Sequence, residues 1–314
     1  MKNVVLSFII LSSFCNLCIA DELEDAINLA QEACSGISAS MDDMKVMAGI
    51  NTAVTGVGTV SGGVAFGAGI AKSNLDSHID SIEQQMKKLS TVNEGVSTEA
   101  LVIENKKDLY KDIDELVDSY ADSGLQTVST TDKKNMINKS KMLGNLRTGT
   151  LAVSGASNIA GAAIAATNKV SGGFREKVNS CILSIKNLVT VHGRARIEKT
   201  SSETNIEQAR QIISACREWE TADLKSVNDR ATGVVVASSI GAGTGVLGTI
   251  ISAVANTDKT RSGDKTTEKN LNTTANVMAG TTTVASATAT IFNATQIAAI
   301  KKVVNIADKC EGAL

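Results

Sequence analysis

Proline is absent from all 314 residues, although average usage of about 5% would supply roughly fifteen. A chain without it carries no hard helix breaker. Aromatic residues make up only 3%, with a single tryptophan, so the large side chains that fill a thick core are missing. Two histidines, His78 and His192, leave little supply of general base. No serine sits in a nucleophile-elbow context. No two cysteines of the mature chain stand at CxxC-type spacing, the usual mark of a zinc site. A basic excess is absent too, with 31 basic against 33 acidic side chains, so the footprint of a nucleic-acid binder is lacking. These absences predict a non-enzymatic protein with no catalytic, cofactor-binding or metal residues.

What is present begins with an export signal. Lys2 supplies a positive start, Val4 to Leu11 an apolar run, and Cys18-Ile19-Ala20 small residues at a cleavage site. The run is too short to span a bilayer. Phe14 and Leu17 before Cys15 and Cys18 do not fit lipidation. Cleavage after residue 20 removes two of the six cysteines and leaves Cys34, Cys181, Cys216 and Cys310. An even number outside the cytoplasm reads as two disulfides.

Four uncharged runs carry most of the Gly, Ala, Ser and Thr: Val46–Ala71, Thr148–Asn168, Ala231–Thr257 and Asn270–Ile300. Gly58 with Gly62, and Gly63 with Gly67, form GxxxG pairs. Ala237, Gly241 and Gly245 extend the pattern, and Ala285 with Ala289 is a weaker echo. Residues four apart share a helix face, so two backbones can approach there. Between the runs, ordinary amphipathic stripes appear. Leu75, Ile79, Ile82, Met86 and Leu89 make a heptad seam, and Leu109, Ile113, Leu116 and Tyr120 a shorter one beyond the turn Asn93–Gly95. Val178, Cys181, Ile182, Ile185 and Leu188 make a third. Ile297, Ile300, Val303, Val304, Ala307 and Cys310 make a fourth. No turn signals cut these segments into strands. The expected fold is all-α, an elongated antiparallel bundle of two long helical hairpins packed through small residues.

Order and length suggest that the hairpins are diverged copies, residues 21–199 and 200–314. Cys34 precedes a run ending at Lys72 and Cys216 one ending at Asp258, 38 and 42 residues on. The returning arms, from Thr130 to Cys181 and from Thr266 to Cys310, open on Thr-Thr-Asp-Lys and Thr-Thr-Glu-Lys. The first copy carries an inserted helical pair at about 73–129. Each cysteine lies about 40 residues from its hairpin tip, roughly 60 Å of helix. Pairs 34–181 and 216–310 would staple the hairpin bases. Pairs 181–216 and 34–310 satisfy the spacing of a single four-helix layer as well, and duplication favours the first set.

Other signals have plain explanations. Val234-Val235-Val236 and Gly243-Thr244-Gly245-Val246-Leu247-Gly248 imitate a dinucleotide fingerprint. The glycines do not directly follow the Val run, and no acidic residue stands about 20 positions on. His78 reads as a solvated face residue beside Asp76 and Asp80. His192-Gly193 reads as a helix stop, with Arg194 and Arg196 complementing the dipole. Trp219 reads as packing near a disulfide.

The runs meet the length criterion for crossing a membrane. Their Gly, Ser, Thr and Asn content, including Asn51, Asn158, Asn276 and Asn293, disfavours ordinary insertion. Small-residue ladders nevertheless also associate helices in lipid. The cluster Lys133, Lys134, Lys139, Lys141 and Arg147 suits anionic headgroups, or equally a solvated helix face. The sequence thus supports an exported structural or interaction protein, periplasmic or extracellular, presenting a surface to a protein or envelope partner. Self-association fits this picture. Its rival is a membrane-active, pore-forming-like protein that inserts its glycine-rich hairpins.

Overall fold

The computed structural model describes residues 22–92 and 130–314. The export signal and residues 93–129 of the expected insertion, with the turn Asn93–Gly95 and the stripe from Leu109 to Tyr120, lie outside these residues. Among the described residues every regular element is helical, as the lack of proline and of strand punctuation predicts. Helix α1 covers 22–34. It is followed by α2 (Ile37–Val92), α3 (Thr130–Thr167), α4 (Gly172–Glu198) and α5 (Glu203–Cys216). A 3₁₀ turn (Arg217–Thr221) leads to α6 (Leu224–Ala255), the short α7 (Asp258–Ser262) and α8 (Lys265–Glu311). The long helices form two hairpin-like pairs. Helix α2 continues past residue 73 to Val92 without a break.

Local chemistry sets the interruptions. Gly36 ends α1 at φ +69°, a left-handed conformation that glycine adopts without a Cβ clash. Ser171 caps α4 by accepting from the Phe174 N–H, and Ser202 caps α5 by accepting from Asn205. Asp223 accepts from Ser226 at the start of α6, and Asp264 from Thr266 and Thr267 at the start of α8. The expected stop at Gly193 does not occur. Helix α4 runs on to Glu198 and ends with Lys199 at φ 53°, because Val191 and Ala195 on either side of the glycine are both buried. Tertiary burial outweighs the propensity cost of about 1 kcal/mol for glycine inside a helix. The returning arm of the first hairpin is interrupted at 168–171, between α3 and α4, whereas α8 is continuous over 47 residues.

Two compact units result. Unit 1 comprises the described residues up to Thr55, Ala160–Ser238 and Thr288–Leu314. Its apolar core includes Leu23, Ile27, Met41, Leu188, Ile212, Trp219 and Ile300, together with all four cysteines. Unit 2 comprises the described residues from Gly56 to Ile159, and Ser239–Ala287. Its apolar cluster is small, made of Ala65, Leu151 and Ala279.

Candidate functional site

In unit 1, Cys34 of α1 is bonded to Cys181 of α4, and Cys216 of α5 to Cys310 of α8. This is the within-hairpin pairing. The four side chains are at most 1% exposed. The Cys34, Cys181 and Cys310 sulfurs lie within 4.8 Å of one another, so the cysteines form one layer across four helices. Trp219 is buried in the same core. The surrounding helices bury an apolar core and carry charged residues on their outer faces, together with the exposed Leu29, Leu183, Val189 and Ile197. On α4, Val178, Ile185 and Leu188 are buried while Arg175, Glu176, Lys186 and Arg194 are exposed or partly so.

Unit 2 reverses that polarity. Its interior holds Ser61, Ser154, Asn158, Ser252, Asn272, Thr282 and Ser286, each at most 9% exposed. Val57, Val60, Phe66 and Ile70 on α2, Val153 and Ile159 on α3, and Ile240, Val246, Leu247 and Ile250 on α6 face outward. Val60 is 69% exposed. From residue 56 to 70 every exposed position of α2 is glycine or a larger apolar residue. Helix α8 is mixed, with Thr273, Thr274 and Thr281 exposed as well as Val277 and Val284. Among the described residues, three helical stretches, containing α2, α3 and α6, are long and apolar enough to cross a membrane. Their best 18-residue windows have mean hydropathies of 1.4, 1.3 and 1.8, and only a third of each window is buried.

The inward polar groups bond across helices. Asn158 donates to the Ser154 carbonyl (2.8 Å) and to Ser286 Oγ (2.7 Å), and Ser154 Oγ donates to the Gly58 carbonyl at 2.7 Å. Arg147 joins α2, α3, α6 and α8. Its Nε donates to Ser252 Oγ (2.8 Å), and its two terminal nitrogens donate to Asn276 Oδ1 (2.9 Å) and Asn272 Oδ1 (2.8 Å). Asn276 in turn donates to the Gly69 carbonyl of α2 at 3.2 Å. The guanidinium is completely buried on neutral acceptors, so its charge is stabilised by oriented amide and hydroxyl dipoles. Unit 1 has a comparable layer, in which Asn51 donates to Asn293 Oδ1 (3.1 Å) and Asn293 to Thr55 Oγ1 (3.3 Å).

The glycines named from the sequence divide in two. An added Cβ on Gly62 would lie 2.8 Å from Thr283 Oγ1, and one on Gly245 would lie 2.7 Å from Gly155 Cα. Gly58 meets Ser286 and Asn158, and Gly241 meets Asn158. These four are where helices touch. Gly63 and Gly67 are exposed and have nothing within 4 Å. Sequence reasoning did not single out Gly155, the partner of Gly245, although its place four residues after Leu151 and three before Asn158 puts it on the buried face of α3.

The basic cluster is largely engaged within the chain. Besides the buried Arg147, Lys133 pairs with Glu83 at 2.8 Å and Lys141 with Asp258 at 2.7 Å, while Lys134 is exposed. These pairs belong to a charged group in unit 2 that includes Asp76, Asp80, Glu83, Arg261, Lys265 and Glu268. Hydrogen bonds from Lys133 and Lys265 hold the Glu83 carboxyl below its usual range, and burial pushes Glu268 above it. Lys72, fully buried, is held by Asp76 and lies 3.7 Å from Glu268. His192 in unit 1 is pushed below the usual histidine range, first by burial and then by Arg196. Glycines 243–248 lie inside α6, where a phosphate-cradling turn cannot form. Comparison with protein families, curated proteins and solved structures finds no match for this chain.

Proposed function

We propose that this chain is an exported, non-enzymatic membrane-embedded protein whose glycine-rich helices associate in lipid, with a disulfide-stapled region facing water. The observation that carries the reading is the polarity of unit 2. Valine, isoleucine and phenylalanine face out while asparagine, serine and arginine face in. In water the hydrophobic effect favours the opposite arrangement, at about 25 cal/mol per Å² of apolar surface. Lipid removes that cost, and polar side chains then pair with one another inside the bundle. Each uncharged run, at about 1.5 Å per residue, is long enough for a hydrocarbon core of about 30 Å. Two disulfides fit an oxidising compartment, in agreement with the export signal read from the sequence. The engaged lysines make attraction to anionic headgroups a minor contributor. The rival picture, a water-soluble bundle presenting a surface, draws support from the apolar core and charged outer positions around the cysteine layer. We assign that role to the stapled region alone.

Substitution at an outward position separates the two pictures. Val60→Lys changes nothing in a water-facing helix, where surface substitutions stay within about 0.5 kcal/mol. At the centre of a membrane helix it costs about 3 kcal/mol. The native protein should float with liposomes and resist alkaline carbonate extraction, and Val60→Lys should weaken both. Native protein that stays in the soluble fraction, with unchanged behaviour of Val60→Lys, overturns the membrane reading.

A further inference from the structure

The four cysteines are arranged for more than cross-linking. They come from α1, α4, α5 and α8, all are at most 1% exposed, and three of the sulfurs lie within 4.8 Å of one another. The fourth, of Cys216, is bonded to one of those three, Cys310. A tetrahedral zinc–thiolate site with bonds of about 2.3 Å sets its sulfurs about 3.8 Å apart. Two of the three, Cys34 and Cys181, are bonded to each other and must part on reduction to reach that spacing, while the Cys310 sulfur lies at most about 1 Å beyond it from either. Ala30, Ile37, Val178, Leu188, Ile212 and Ala307 line the same core, so soft sulfur donors are offered in an apolar setting that excludes water. Sequence spacing hides this, because the ligands lie on four distant segments.

We propose that the layer, once reduced, is a four-thiolate site for one soft cation such as Zn²⁺. A thiol or phosphine reductant gives each disulfide two electrons, two protons complete the thiols, and the reductant is itself oxidised. Binding of the cation then releases the four thiol protons to solvent, so affinity falls with acidity. A sulfur within a disulfide is no longer a thiolate ligand, so oxidation and metal binding exclude each other. The same four helices are held together in either state, by covalent bonds under oxidising conditions and by the metal under reducing ones.

The test uses the mature chain, reduced with a phosphine in denaturant and refolded anaerobically with or without one equivalent of Zn²⁺. The expected result is one Zn²⁺ retained per chain after desalting, with all four cysteines protected from iodoacetamide and helix content restored to that of the oxidised protein. Cd²⁺ in place of Zn²⁺ should give a thiolate charge-transfer band. Cys34→Ser and Cys216→Ser should each weaken Zn²⁺ binding at least tenfold, and the oxidised protein should bind none at this site. Equal alkylation with and without Zn²⁺ would overturn the proposal. So would unchanged binding in a variant lacking all four cysteines, or a reduced chain that stays unfolded with Zn²⁺ present.

Discussion

A methyl group placed on Gly245 tests how closely α3 and α6 approach. The new carbon would lie 2.7 Å from Gly155 Cα and 2.9 Å from Gly155 N. Carbon atoms rest about 3.5 Å apart or more, so the two backbones must separate by about 0.8 Å. Overpacking of this kind costs about 1–3 kcal/mol, while alanine returns about 1 kcal/mol of helix propensity. The propensity gain can be cancelled with a second variant. Gly63→Ala adds the same methyl to a helix interior where nothing lies within 4 Å. The difference between the two variants isolates the steric cost, about 1–3 kcal/mol in favour of Gly63→Ala. At about 2–4 °C per kcal/mol for domains of 150–250 residues, melting midpoints followed by far-ultraviolet circular dichroism would differ by several degrees. Equal midpoints, or a higher one for Gly245→Ala, would refute the close crossing of α3 and α6.

Three further outcomes are expected. Arg147→Met leaves Ser252 Oγ, Asn272 Oδ1 and Asn276 Oδ1 without the Arg147 donor, and should cost about 3 kcal/mol or more at about 1–3 kcal/mol for each orphaned group. Arg147→Lys should not restore the loss, because an ammonium lacks the planar fork; denaturant titration of both variants measures this. Replacing Cys34 and Cys181 together by serine should cost about 5 kcal/mol by the chain-entropy relation for a closure of 147 residues, and the corresponding change at Cys216 and Cys310, 94 residues apart, nearly as much; thermal midpoints of the two variants check it. The depressed Glu83 pKa makes a contribution to stability that is present above pH 4.5 and lost as pH falls through the folded value. Glu268, raised by burial, contributes below pH 4.5 and loses that contribution as pH rises through its folded value. The decline of melting midpoint below pH 4.5 should therefore shrink in Glu83→Gln, and a decline that sets in as pH rises above 4.5 should shrink in Glu268→Gln.

Helix content and length were legible because the missing proline and the uncharged runs leave few other structures open. Matched distances along the arms placed the four cysteines in one layer but left two pairings open, and the duplication pointed to the one observed. The polarity of unit 2 was not legible. Periodicity tells which residues share a face, so Gly58, Gly62 and Ser61 can be grouped against Val57, Val60 and Val64. It does not say which group turns inward, because that depends on the solvent around the bundle. Gly63 and Gly67 show the same limit, since a GxxxG spacing marks a smooth face without naming what lies on it. The basic cluster was visible as charge, but its partners Glu83 and Asp258 stand far away in sequence. Gly193 looked like a helix end because local propensity carries no information about the burial of Val191 and Ala195.

The two disulfides close loops that do not overlap, 34–181 and 216–310. A single proteolytic cut anywhere from residue 35 to 180 therefore opens a ring but frees no fragment, and residues 93–129 fall within that ring. A nicked chain would keep its mass on a non-reducing gel and separate only after reduction. A cut between 182 and 215 would instead part the molecule into two pieces, each retaining its own closed ring. Limited proteolysis run with and without reductant can thus read the covalent topology from band positions alone.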